Sequence, residues 1–287
     1  MGLFFSSDRF TRPGPGVRPD APRKKGVARL AEIMGRDMWN FFRAGFLAFL
    51  GCLPFIIGMF FAVETHALLF MLLAGIIGGL IAGPELSAMA DTVLRSLRDE
   101  PGYWWETYRR VWKRNARESL VPGMLTGLVL SMQIFTLFHM SVISAGIVTW
   151  VLLILSFVVT LGLESYIWPQ IALLDLPLYG ILKNSLLLFL GYLPRSLGAI
   201  AIKAVYWGAI LLFFPLTTII LPFTNFWLPM LPALLCISQP LNKCFTIEST
   251  INKMREDELN AALAKDNEPL PEESTEASSD DSSSDVQ

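Results

Sequence analysis

The chain has little with which to build a reactive centre. Three cysteines and two histidines in 287 residues are too few for a His/Cys metal cage or a disulfide framework. Charge is scarce as well: 17% of residues are Asp, Glu, Lys or Arg against 53% hydrophobic, with a mean hydropathy of +0.49. A soluble domain carries about 25% charged residues, so this composition argues against a cytosolic enzyme. No Walker-type phosphate loop, HExxH, GxSxG or Rossmann glycine set occurs, which leaves nucleotide coupling and the familiar hydrolase centres without a sequence basis. The start, MGLFFSSDRF, has neither the apolar core nor the cleavage pattern of a secretory signal.

What the chain has in quantity is uncharged length. Ala44 to Val63 holds no charge, and Thr65 to Pro84 holds no ionisable group except His66; each is 20 residues, the length that crosses a hydrocarbon core of ~30 Å. From Ser119 to Leu163, 45 residues contain one ionisable group, His139, which predicts two helices turning near His139 to Val142. From Ala204 to Asn242, 39 residues lack charge but include Pro215, Pro222, Pro229, Pro232 and Pro240. Two further spans are expected there, because neighbouring helices and hydroxyls can satisfy carbonyls freed by proline in a membrane bundle. Ahead of that run the apolar stretch Ser185 to Pro194 is too short to span, so Lys183 to Lys203 either lies at the interface or begins a long fifth helix kinked at Pro194, with Arg195 and Lys203 reaching the headgroups; the kinked helix is the favoured reading. The fold class is therefore all-α, a polytopic integral membrane helical bundle of about six transmembrane helices.

Cations set the expected direction of threading. All 23 Lys and Arg lie on one side of this arrangement: nine before Ala44, seven between Glu85 and Glu118, Lys183, Arg195 and Lys203 around spans four and five, and four after Asn242. The three opposite turns, at Glu64 to His66, His139 to Val142 and Pro222 to Asn225, have none. By the positive-inside rule both termini are expected in the cytoplasm of a cell-membrane protein. The formal charge of −2 hides a strong asymmetry, since up to Arg255 there are 22 cations and 14 anions and beyond it 1 and 11.

The chain reads as three regions: a Pro/Gly/basic arm and pre-membrane helix (1–43), a membrane domain (44–243) and a cytoplasmic tail (244–287). The tail, acidic and lacking apolar residues from about position 266, is expected to be disordered, serving solubility or binding basic cytoplasmic segments. Inside the membrane domain, residues 85–118 read as a cytoplasmic amphipathic helical segment divided at Pro101-Gly102. Trp104, Tyr108 and Trp112 recur at helical spacing with Trp105 beside them, and Arg110, Lys113, Arg114 and Arg117 hold another face. Two readings fit: a helix lying on the lipid bilayer with indoles at headgroup level, or a helix packed under the bundle or against a partner protein.

Asn40, Asn115 and Asn184 precede ascending spans, while Pro84, Pro169 and Pro240 close descending ones; this pattern fits three hairpin pseudo-repeats or the ordinary gathering of Asn and Pro at span ends. Glu85 and Glu164, at the inner ends of spans two and four, are candidates for an inner vestibule or are simply the first wetted residues past their spans. Glu64, His66 and His139 offer ligand-type groups, but three from two short turns do not predict a metal. Cys52, Cys236 and Cys244 are expected as free thiols. Gly75, Gly78, Gly79 and Gly83, with Ala74 and Ala82, give span two a small-residue face suited to close packing or to a passage. No catalytic residue, cofactor, metal or nucleic-acid partner is expected, and the oligomeric state is open.

Taken together, the RPGPGVRPDAPRKK arm, the CLP of the first span, GPELSAMADTVLRSLRDEPGYWWETYRRVWKRN and SYIWPQIALLDLPLYGILKNSLLLFLGYLPRS resemble the YesL-like membrane proteins of Gram-positive bacteria, a family defined largely as a domain of unknown function. The resemblance runs from about Arg12 to about Lys243. It implies a role in carbohydrate uptake, as a non-enzymatic accessory or regulatory component beside an ABC importer permease or ATPase; an independent small-solute transporter or channel is the alternative. It supplies no site residues. Glu85, where a small or neutral residue is expected, and the long acidic tail depart from the family pattern.

Overall fold

The computed structural model describes residues 24, 26–100, 102–140, 142, 146–245, 253 and 260. All regular structure among them is helical. The chain divides into two units, Met1–Pro240 and Leu241–Gln287, and the candidate sites all lie in the first. The Arg12 to Lys25 arm, apart from Lys24, and the acidic tail lie outside the described residues.

Four long helices come first. Helix α1 runs Gly26–Thr65, α2 Leu68–Arg98, α3 Trp104–Phe138 and α4 Ile147–Leu173. Beyond them come α5 (Leu178–Gly191), α6 (Leu193–Leu212), the short α7 (Thr217–Thr224) and α8 (Trp227–Phe245). Helices α1, α2, α3, α4 and α6 are long and apolar enough to cross a membrane. The boundary drawn at residue 43 falls inside α1, which is continuous from its charged N-terminal turns to its apolar C-terminal half.

Helix α2 is the hub, packed on α1, α3 and α4. Its contact with α3 is backbone on backbone. A Cβ at Gly123 would stand 2.9 Å from the Gly83 Cα, and one at Gly127 would stand 2.8 Å from the Gly79 Cα. The small-residue face of α2 is thus filled by the small-residue face of α3, which lets the axes approach closely. On its other side Gly78 meets Phe55 of α1, whose Cα would be 2.6 Å from an added Cβ. A π-helical turn, Ala74–Gly78, interrupts α2 where these glycines change partner. Toward its C-terminal end, α2 is covered nearly all round, with Ala88, Met89, Ala90 and Val93 fully buried.

Several expectations are corrected. Pro84, Pro169 and Pro240, read as closing descending spans, each lie inside a helix that continues past them, α2, α4 and α8 respectively. Residues 85–118 comprise the C-terminal end of α2 and the N-terminal end of α3, packed on each other. The long helix kinked at Pro194 is two helices, broken at Tyr192 (φ −120, ψ 42), with Pro194 in the first turn of α6, where its missing N–H costs nothing. Lys203 does not reach for headgroups but is buried. Of the two spans expected within 204–242, α6 meets the length and hydropathy needed. The remainder is split at Asn225 into α7 and α8, and Gln239, Asn242 and Lys243 lower the hydropathy of α8.

Candidate functional site at the charged end of the bundle

An ion-pair belt ties α1 to the turn after α2. Asp99, the first residue past α2, takes left-handed backbone (φ 59, ψ 37), a conformation that short polar side chains tolerate. Its carboxylate receives Arg29 at 2.6 Å and Arg36, both from the first turns of α1. The same guanidinium groups donate to the Leu97 carbonyl at 3.1 Å and the Ser96 carbonyl at 2.8 Å, satisfying acceptors that a helix end leaves open. Partial burial acts to raise the Asp99 carboxyl, but hydrogen bonds from Arg36 and Arg29, with their charges, outweigh it and hold the group below its ordinary range. Arg95 pairs with Asp91 at 2.7 Å and Glu100 at 3.3 Å, and Arg98 with Glu100 at 2.7 Å.

Against this belt lies a cavity of about 300 Å³, lined by Arg36, Asp37, Asn40, Thr92, Arg95, Ser96, Asp99, Glu100, Gly102, Trp104, Thr107 and Tyr108. Its volume is at the lower end for a small-molecule site. The indole Nε1 of Trp104, one of its walls, is buried without an acceptor among the described residues. Cations and carboxylates are both present on the lining, so it suits neither a bare anion nor a bare cation.

Tyr108 links the cavity to Glu85. Its hydroxyl donates to Glu85 Oε2 at 2.5 Å, and Trp112 Nε1 donates to Oε1 at 2.9 Å. The α1 wall of this niche is Gly51, where a Cβ would stand 2.6 Å from Glu85 Cγ. Glu164 on α4 receives Trp168 Nε1 at 3.3 Å and faces Lys203 of α6 at 3.8 Å. The buried Cys52 thiol of α1 lies within electrostatic reach of both carboxylates. Along their helices, Glu85 and Glu164 are each seventeen residues from the first residue, Leu68 and Ile147, about 26 Å at ~1.5 Å per residue.

The aromatic and basic candidates of α3 separate by burial. Tyr108 is buried and Trp112 half-buried against Glu85, while Trp105 is exposed. Trp104 is half-buried, with the Arg43 guanidinium 5.6 Å from its ring centre. Arg110, Lys113 and Arg117 are exposed, as is Arg109; Arg114, also exposed, donates to the Ala172 carbonyl at 2.7 Å. Sequence reasoning missed the α1 contribution, Arg29, Arg36, Asp37 and Asn40, and the Glu164–Lys203 pair. The seven-residue spacing of Arg29 and Arg36, which sets both on one helix face, is the signal that was there to read.

At the opposite end the two histidines meet. His66 Nδ1 lies 2.7 Å from His139 Nε2, and His139 Nδ1 lies 2.7 Å from the Phe135 carbonyl. That carbonyl can only accept, so His139 donates from Nδ1, and between neutral rings His66 donates to its Nε2. Glu64 does not join them, and no group of three or more metal-ligand side chains occurs among the described residues. The pair clips the α1–α2 turn to the end of α3. His66→Ala is expected to cost about 1 kcal/mol, read as faster amide exchange at residues 63–68 and 137–140 with the Asp99 belt unaffected. Cys52 and Cys236 are free thiols.

Comparison with family models, with curated proteins and with solved structures finds no match to this chain.

Proposed function

We propose that the chain is a multi-pass cell-membrane protein with both termini in the cytoplasm, acting without catalysis of its own as an accessory or regulatory component docked on a carbohydrate importer of the ABC type. The supporting observation is the outer face of α3. Arg109, Arg110, Lys113 and Arg117 fall within an arc of ~100° on that helix and all are exposed. The buried arc opposite carries Tyr108, Val111, Asn115 and Ser119. Four cations without ion-pair partners among the described residues do nothing for the packing of α3 on α2. They suit an acidic protein surface reached from the cytoplasm, where complementary charge sets register and encounter rate. The importer itself comes from the family resemblance.

The test is purification of the full-length protein from its native membrane, beside a variant with Arg109, Arg110, Lys113 and Arg117 changed to Glu. Permease or ATPase subunits are expected with the parent chain, falling about tenfold or more with the variant. The cavity favours a second reading, an independent solute carrier. Solute flux in proteoliposomes holding this chain alone supports that reading and overturns the first. The closed glycine seam between α2 and α3 speaks for the accessory role, because it leaves no passage along that contact.

A further inference from the structure

We propose that Glu85 is a proton-binding site inside the bundle, loaded from the cytoplasmic cavity through the hydroxyl of Tyr108. An ionisable group at the depth of a membrane helix is costly unless paired or used, and Glu85 is held by two neutral donors. Its surroundings, element by element, carry one charge that remains uncompensated. From α1 it faces Gly51, and the Cys52 thiol is near; from α3 come the phenol and the indole; from α4 comes Glu164, which Lys203 of α6 neutralises at 3.8 Å. On α2 itself Asp91 is engaged by Arg95. The charged groups across the cavity, Arg36, Arg95, Asp99 and Glu100, are bound to one another in the belt. With Lys203 paired to Glu164, Glu85 is left without a cationic partner among the described residues, and a proton is the ligand that neutralises it without widening its 2.5 Å contact with Tyr108.

The two donors have different capacities. Indole N–H can only donate, so Trp112 holds Oε1 in either protonation state. A phenol both donates and accepts, so Tyr108 can reverse its bond to Oε2. Tyr108 also lines the cavity. In the loading step a proton from cavity water bonds to the phenolic oxygen as the phenolic proton passes to Glu85 Oε2. The water loses one proton, the carboxylate becomes a carboxylic acid, the phenol is regenerated and no electrons are exchanged. The acid then donates to the Tyr108 oxygen, whose own O–H turns to the cavity.

Infrared titration of the full chain in lipid nanodiscs tests this. Acidification is expected to add a carboxylic-acid carbonyl band that is missing in Glu85→Gln and kept in Glu164→Gln. On transfer to heavy water that band is expected to shift about tenfold or more slowly in Tyr108→Phe, and at close to the parent rate in Trp112→Phe. If Tyr108→Phe does not fold, a fluorotyrosine at position 108, which keeps the hydroxyl and makes it a better proton donor, is expected to speed the shift. A titration with no band dependent on Glu85 overturns the site. A band whose exchange is indifferent to Tyr108→Phe, or to the fluorotyrosine where that is used, overturns the route through the phenol.

Discussion

Gly123→Leu is expected to abolish the folded bundle. The position faces the Gly79 carbonyl and the Gly83 Cα, which would stand 2.9 Å from a Cβ, and both obstacles are backbone of a helix pinned on its far side by α1. Overpacking ordinarily costs about 1–3 kcal/mol where side chains can shift. Here no side chain can yield, so the axes must separate, and a cost of about 3 kcal/mol or more is expected from the same source. The measurement is the monodisperse fraction by fluorescence-detected gel filtration in mild detergent, followed by the melting temperature of whatever survives. Gly208→Leu on α6, where nothing lies within 4 Å of an added Cβ, is the control and is expected to behave as the parent chain does. Equal behaviour of the two variants would contradict the backbone contact of α2 and α3.

Asp99→Ala is expected to open the ion-pair belt between α1 and the turn after α2. The substitution removes the acceptor shared by Arg29 and Arg36 and places a Cβ-bearing residue without a polar arm in left-handed backbone. Arg29 is buried, so its charge is left with the partly exposed Glu32 at 3.3 Å and one carbonyl. A loss of about 2 kcal/mol is expected from the charged hydrogen bonds. Asp99→Asn, which tolerates the left-handed conformation and still accepts, is expected to recover a substantial part. The pH sign follows from the depressed carboxyl. A group whose folded value lies below its unfolded one stabilises fully above the unfolded value, about 3.9 for Asp, and loses that contribution as pH falls through the folded value. The difference in stability between the parent chain and Asp99→Ala is therefore expected to be flat from neutral pH down to mild acid and to shrink below about pH 4. A difference that grows on acidification would contradict the assignment.

These two sites show where sequence reasoning succeeds and stops. Uncharged length is a one-dimensional property, and α1 to α4 follow it closely because charge-free runs of 20 and 45 residues admit few alternatives. Between residues 178 and 242 the same signal fails. The break at Tyr192 depends on a local backbone choice, and the prolines of α7 and α8 are tolerated or not according to neighbours that lie far away in sequence. Periodicity separates the aromatic and basic faces of α3 without saying which is inside. Energetics decides: burying Arg109, Arg110, Lys113 and Arg117 without carboxylates costs far more than burying a phenol and an indole that have an acceptor. That acceptor is Glu85, 23 and 27 residues from its donors, a separation at which no spacing rule operates. Likewise Lys203 reads as a cation near a span end, and only the packing of α6 on α4 turns it to Glu164.

The docking role of the α3 outer face is tested most directly by placing a photo-crosslinking amino acid at Arg110 in the full-length protein and, as a comparison, at Trp150, which faces outward from the apolar part of α4 with 43% of its surface exposed. The expected result is a light-dependent adduct with an importer permease or ATPase at position 110, lost when Arg109, Lys113 and Arg117 are changed to Glu, and lipid adducts alone at position 150. Lipid adducts alone at position 110 would contradict the docking role and make the cationic face a headgroup contact.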